Sequence, residues 1–182
     1  MIDFRELREF LKDTFGYILV FLCVLFVVIY GVTFQTVSGV SMSPNYKNKD
    51  VLLLSKVNYI FEKPDRGDII ALTDKDGVLY IKRIIAIPGD NVYVKENKLY
   101  INDILYKEDY LESSVITDDF TFKDICVING CENLVLPENK YFVMGDNRED
   151  SYDSRFNVFG LVDKEHIIGK AVLKIWPIGF VK

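Results

Sequence analysis

The residue that most often activates a serine is nearly absent from this chain: its single histidine is His166, in the run Val162-Asp163-Lys164-Glu165-His166. A Ser-His-Asp triad would have to use that one side chain, and nothing around it calls for the role, so it reads as a surface or packing residue. A lysine can act as the base instead if it is neutral, which requires burial to bring its pKa down from about 10.4. The run Val78 to Ile87 (VLYIKRIIAI) supplies one. With strand alternation, Lys82 shares a face with Val78, Tyr80, Ile84 and Ala86, while Arg83 shares the other with Leu79, Ile81, Ile85 and Ile87. A lysine in an apolar face is either an edge residue with its head in water or a buried functional amine, and periodicity leaves both open.

Two other segments carry groups that such a base could serve. In Ser38-Gly39-Val40-Ser41-Met42-Ser43-Pro44, small residues and a proline predict a tight turn from which a hydroxyl can project and amide N–H groups can face a ligand. Residues Met144 to Arg155 (MGDNREDSYDSR) follow an apolar run, and their density of hydrogen-bonding side chains predicts a fixed polar network rather than a loose loop.

The elements that must hold these segments are mostly strands. Strand-like runs cover Val51 to Val57, Ile69 to Thr73, Val78 to Ile87, Val92 to Val94, Leu99 to Ile101, Tyr141 to Met144 and Gly169 to Trp176. Asp74-Lys75-Asp76-Gly77 and Glu96-Asn97 have hairpin chemistry between them. Leu105 to Lys140 is polar and acidic without clean periodicity, and reads as an inserted subdomain or long loop. It carries Cys126 and Cys131, either a local disulfide or two unpaired thiols; without a second Cys or His pair they do not predict zinc.

Composition narrows the class further. With 22 Lys plus Arg against 27 Asp plus Glu, the net charge of −5 offers no broad positive field for nucleic acid. Aromatic residues at 14% and only five prolines argue against disorder. A mean hydropathy of +0.12 is high beside 27% charged residues, so the apolar residues must be concentrated. They are: no charged side chain occurs from Thr14 to Tyr46, and Phe15 to Phe34 would span about 30 Å as a helix, the thickness of a bilayer core. A core helix would carry a polar stripe. A cleaved signal peptide would have a shorter apolar run and a better small-x-small site than Thr36-Val37-Ser38. Arg5, Arg8 and Lys12 precede the run and no Lys or Arg follows before Lys47, which places the N-terminus inside. The expected layout is residues 1–14 cytoplasmic, 15–34 a transmembrane anchor in the lipid bilayer holding Cys23, and 35–182 outside. Trp176, with Tyr59, Ile60 and Phe61, belongs either at the membrane interface or in the core.

Taken in order, SGVSMSP just past an N-terminal anchor, YIKRIIAIPGD about forty residues later and GDNREDSYDSR further on resemble the type I signal peptidase family. Arg66-Gly67-Asp68-Ile69-Ile70, Phe159-Gly160 and Ile168-Gly169-Lys170-Ala171 are similar to its minor motifs, so the likeness runs from about Ser38 to Trp176. The resemblance implies a mainly β, barrel-like catalytic domain behind a single anchor in the plasma membrane. It implies a serine endopeptidase that removes signal peptides from secreted preproteins, preferring small residues at positions −1 and −3. It needs no metal, no cofactor and no obligate protein partner. Carried over, Ser41 is the nucleophile, Lys82 the general base and Ser151 the serine that orients the lysine, while Arg83, Asp153 and Arg155 form a structural charged network.

The chain departs from the family pattern twice. Gly39 stands where some members have a serine that helps hold the oxyanion, which leaves backbone N–H groups, chiefly that of Ser41, with Ser38 as a neighbouring hydroxyl. Asn45 stands where threonine is frequent. The competing readings are a self-cleaving repressor-type Ser-Lys peptidase, a specialised relative that processes a few substrates such as pilins, and a membrane-tethered binding module without catalysis. Arg66-Gly67-Asp68 could tempt an adhesion reading, but it leads straight into a strand.

Overall fold

The apolar N-terminal run folds as helix α1, Phe4–Phe26, extended by a wider helical turn over Val27–Gly31; the computed structural model describes residues 4–129, 131 and 134–181. The stretch Arg8–Gly31 is long and apolar enough to cross a membrane. Its large apolar side chains from Phe15 to Phe26 and from Val28 to Tyr30 are exposed, which is not how a core helix sits. The helix stops sooner than the apolar run does. Val32 to Phe34 belong to strand β1, Val32–Thr36, because their backbone pairs antiparallel with β2, Val51–Ser55, from Val32 opposite Ser55 to Thr36 opposite Val51. The Gly31 carbonyl accepts the Lys56 N–H at 2.8 Å. Branched Val32, Thr33 and Thr36 suit the ladder better than a helix.

After a short helix α2, Asn58–Phe61, come β3, Ile69–Thr73, and β4, Leu79–Ala86. Their hairpin is closed by Asp74, whose carboxylate accepts the N–H groups of Asp76 and Val78 at 2.9 and 2.8 Å. The chain then makes a small sheet of β5, Val92–Lys95, β6, Lys98–Ile101, and β7, Ile104–Leu105. Glu96 and Asn97 turn at φ 52° and 59°, the left-handed pair that a tight hairpin needs. Helix α3, Phe122–Asn129, follows within the segment read from sequence as a subdomain or loop. Its first turn is capped by a T-x-x-D box: Asp124 accepts from the Thr121 hydroxyl at 2.6 Å and from the Thr121 N–H at 3.2 Å. Strands β8, Lys140–Met144, β9, Val162–Asp163, and β10, Ile167–Trp176, complete a seven-stranded sheet in the order β1-β2-β10-β3-β4-β8-β9.

Strand β4 is interior to this sheet, and both of its faces are buried. On the Lys82 side Ile84 packs with Ile70, Leu72, Tyr141, Val143 and Val162. On the Arg83 side Ile81 packs with Met42, Tyr46, Leu52, Leu54, Ile69 and Ala71. Beyond them, Ile85, Ala86, Phe142 and Met144 share a third core with β5, β6 and the Phe122, Ile125 and Cys126 face of α3. Val92, Val94, Leu99 and Ile101 are therefore packed as one unit with α3. Cys126 and Cys131 are separate thiols here, and burial with the neighbouring Cys131 thiol pushes the Cys126 thiol up to about 12.

Candidate active site

Lys82 is the buried amine, not the edge residue: it is 1% exposed in the middle of the sheet, flanked by Ile70 on β3. Burial disfavours the ammonium and pulls its pKa down from 10.5 to about 8, although the Asp153 carboxylate opposes this; Arg155 adds to the lowering. Its Nζ donates to Ser151 Oγ at 2.9 Å and lies 6.0 Å from the centre of the Tyr80 ring.

Ser151 is held from its other side. Its hydroxyl donates to Asp153 Oδ2 at 2.6 Å, so its lone pairs are what face the lysine. Asp153, fully buried, also accepts the Gly145 N–H at 2.9 Å and two bonds from Arg155, Nε at 2.8 Å and Nη2 at 2.9 Å. A carboxylate so fully engaged serves as a fixed anchor for Ser151. The loop carrying both is pinned to β8 by Ser154, whose N–H donates to the Val143 carbonyl at 3.1 Å while its Oγ accepts the Val143 N–H at 3.0 Å.

Ser41 opens a turn just beyond β1. Ser43 N–H closes on the Val40 carbonyl at 2.9 Å and Tyr46 N–H on the Met42 carbonyl at 2.9 Å, while Met42 and Tyr46 anchor the turn in the core. Asn147 clamps it from the far loop: its N–H donates to the Ser41 carbonyl at 3.0 Å and its side-chain amide to the Val40 carbonyl at 3.2 Å. Gly145 lies between Ser41 and Ser151, so close that a Cβ there would overlap both the Ser41 carbonyl oxygen and Ser151 Oγ. One glycine thus brings the nucleophile candidate to the lysine's serine partner. Among the described residues neither the hydroxyl nor the N–H of Ser41 has a hydrogen-bond partner, which leaves both open to a ligand. Gly39 has φ +85°, a conformation that a serine there would adopt only under strain, and its N–H is taken by Asn48 Oδ1 at 3.2 Å. Ser38 is exposed three residues before Ser41.

The charged network divides differently from expectation. Arg83 does not join Asp153 and Arg155. It points to the opposite face and pairs with Asp146, Nε to Oδ1 at 2.8 Å and Nη2 to Oδ2 at 2.7 Å, both residues buried. Its guanidinium also stacks on the Tyr110 ring at 3.8 Å. Asp146 and Gly145 were within the polar run, but spacing alone did not single them out. The inserted segment also meets the polar loop of the site. Arg148 reaches into it, with Nη2 to Glu108 Oε1 at 2.5 Å and Nη1 to Thr117 Oγ1 at 3.0 Å, while its Nε holds the Gly145 carbonyl at 3.0 Å.

The remaining candidates fall outside the chemistry. His166 lies in the short helical turn Lys164–His166, on the wall of a cavity of about 240 Å³ that touches neither Ser41 nor Lys82. Arg66 pairs with Asp90, and Asp68 with Lys170 and the Tyr59 hydroxyl, so the Arg-Gly-Asp tripeptide is bound within the fold. Among the described residues no cluster of His, Cys, Asp and Glu is arranged to hold a metal.

Over most of its length the chain is similar to known proteins. The family described as Signal peptidase, peptidase S26 matches residues 7–176. Signal peptidase IB of Staphylococcus aureus (strain COL) is 34% identical over 177 residues, covering 93% of this chain and 91% of that protein. The crystal structure of a signal peptidase I from Enterococcus faecalis superposes with a TM-score of 0.50 at 36% identity, covering 60% of this chain and 97% of that one. Since the match takes in the apolar N-terminal helix, the turn at Ser41, the lysine strand and the polar loop that meets them, the chain belongs to the signal peptidase family and is a peptidase.

Proposed function

We propose that this peptidase cleaves signal peptides from secreted preproteins at the outer face of the membrane, with Ser41 as nucleophile and Lys82 as general base. The observation that carries the reading is the desolvated Lys82 amine, bonded to Ser151 beside the Ser41 turn. Ser151 accepts one Lys82 N–H and so aims the single lone pair of the neutral amine. That lone pair takes the Ser41 proton as Oγ attacks the scissile carbonyl. The Ser41 N–H meets the developing oxyanion. Lys82 then passes the proton to the leaving amine, and water, activated by the same amine, hydrolyses the acyl-enzyme.

A substrate strand has a place to lie. β3 pairs with residues Leu79 to Arg83 of β4, whereas β8 pairs with β4 only from Arg83 onward, so the ladder edge before Lys82 is open. An extended segment added there presents alternate side chains to the site, which suits a requirement for small residues at −1 and −3.

Residues 1–14 lie in the cytoplasm in this reading, the helix crosses the bilayer, and the β-domain works outside. Trp176 is 68% exposed and sits opposite Val51, whose other neighbour is Thr36, two residues before Ser38. With exposed Ile178 and Phe180 it forms an apolar edge near the site, and Ile60 and Phe61 add a second beside the helix exit, while Tyr59 turns inward to Asp68. As Trp176 is the only tryptophan, its fluorescence reports this edge alone. In vesicles, brominated acyl chains are expected to quench Trp176 of the full chain; emission as unquenched as in water would remove the edge from the membrane.

The central test is covalent. A penem that acylates signal peptidases is expected to label the wild-type chain at Ser41 and to leave Ser41→Ala unlabelled and unable to mature a preprotein. Full maturation by Ser41→Ala would end the reading in favour of a tethered module or another nucleophile.

A further inference from the structure

Asn45 is where the chain departs from the threonine frequent in its family, and its amide uses both of its protons. Nδ2 donates to Asp146 Oδ2 at 2.8 Å and to the Tyr110 carbonyl at 2.8 Å. Both partners are acceptors, which settles the orientation of the amide. Asp146 is fully buried and clamped by Arg83. Its neighbours in sequence are the two residues that touch the nucleophile turn: Gly145, packed against Ser41, and Asn147, bonded to the Ser41 carbonyl. The contacts therefore close a ring, from Ser41 through its own turn to Asn45, across to Asp146, and back through Asn147 to Ser41. The second proton adds the inserted segment to that ring at Tyr110, whose ring lies under Arg83.

We infer that Asn45 is a positioning residue that sets the place of Ser41 relative to Lys82, and that through Tyr110 it makes the inserted segment part of the catalytic scaffold. A threonine hydroxyl has one proton and can serve only one of the two acceptors. Tethering the segment to the turn is thus a property of the asparagine. The inference rests on Ser41 being the nucleophile, but it concerns where Ser41 is held and not the identity of the base.

The test compares the full-length wild type with Asn45→Ala, Asn45→Thr and Ser41→Ala in detergent micelles, following preprotein cleavage, penem acylation and thermal unfolding. Asn45→Ala is expected to lower kcat and the acylation rate together by about 10- to 100-fold, with KM little changed, as for a misplaced nucleophile. Asn45→Thr should recover part of this loss. The pH midpoint of cleavage should stay close to that of the wild type, because Asn45 is uncharged and Asp146, whose charge acts on Lys82, keeps its Arg83 clamp. Wild-type acylation by Asn45→Ala would overturn the inference, as would a loss matched by the unfolded fraction. Cleavage by Ser41→Ala in the same series would instead remove the reading on which it rests.

Discussion

Lys82→Met in the full chain is expected to abolish preprotein cleavage while making the protein more stable at neutral pH. The amine is buried, and its fall from 10.5 to about 8 corresponds to roughly 3 kcal/mol that the folded state loses by holding the charge away from water. The folded chain binds this proton less tightly than the unfolded one. The cost is therefore complete below about pH 8 and fades as pH rises through 10.5, so wild-type stability rises across that window. Methionine fills a similar volume without the amine, which makes its advantage largest near neutrality. Cleavage should fall by at least about 10²- to 10⁴-fold, the usual contribution of a positioned base. Loss of activity with gain of stability cannot be misfolding. In the wild type, kcat/KM should climb about tenfold per pH unit below the midpoint at about 8 and level off above it, because in the proposed mechanism only the neutral amine accepts the Ser41 proton. Cleavage assays across this range with denaturant unfolding of both chains decide the matter. A methionine variant that still matured preprotein would dismiss Lys82 as base, and a flat profile would dismiss the neutral amine.

Gly145→Ala is the smallest change expected to disable the site. The added carbon would overlap Ser151 Oγ and the Ser41 carbonyl oxygen and stand 2.6 Å from Ser151 Cβ. Neither neighbour can retreat easily: Ser151 is bonded to Asp153 at 2.6 Å, and the Ser41 carbonyl to the Asn147 N–H at 3.0 Å. The methyl group must push the two serines apart. Displacing a nucleophile by about 1 Å costs on the order of 10²-fold in rate, and overpacking of this kind costs about 1–3 kcal/mol of stability. Single-turnover cleavage and an unfolding curve measure the two effects. Wild-type kcat in Gly145→Ala would mean that the spacing of Ser41 and Ser151 is unimportant.

Much of the scaffold was legible from alternation. The run at Ile69 to Thr73 is β3 to the residue, and that at Val78 to Ile87 is β4 with one residue trimmed at each end. The apolar run at the N-terminus hid the start of β1, since Val32, Thr33 and Phe34 are as apolar as the helix before them and only pairing with β2 distinguishes them. Helix α3 has two turns, too few for periodicity, though Thr121 and Asp124 carry its capping signal. Arg83 shows where motif and geometry part. Consecutive strand residues face opposite ways, so a residue next to Lys82 could not reach the same carboxylate, and it found Asp146 instead.

By itself the sequence determined the apolar helix, the mainly β scaffold, the single histidine and the short list of serines and lysines able to react. Each of these follows from local composition and period. It could not decide whether Lys82 was an edge residue or a buried amine, because that depends on how distant segments pack over its face of β4. Nor could it place Ser41, Gly145 and Ser151 together. Their contact exists only where two distant segments meet, beside the strand whose packing desolvates Lys82 and lowers its pKa.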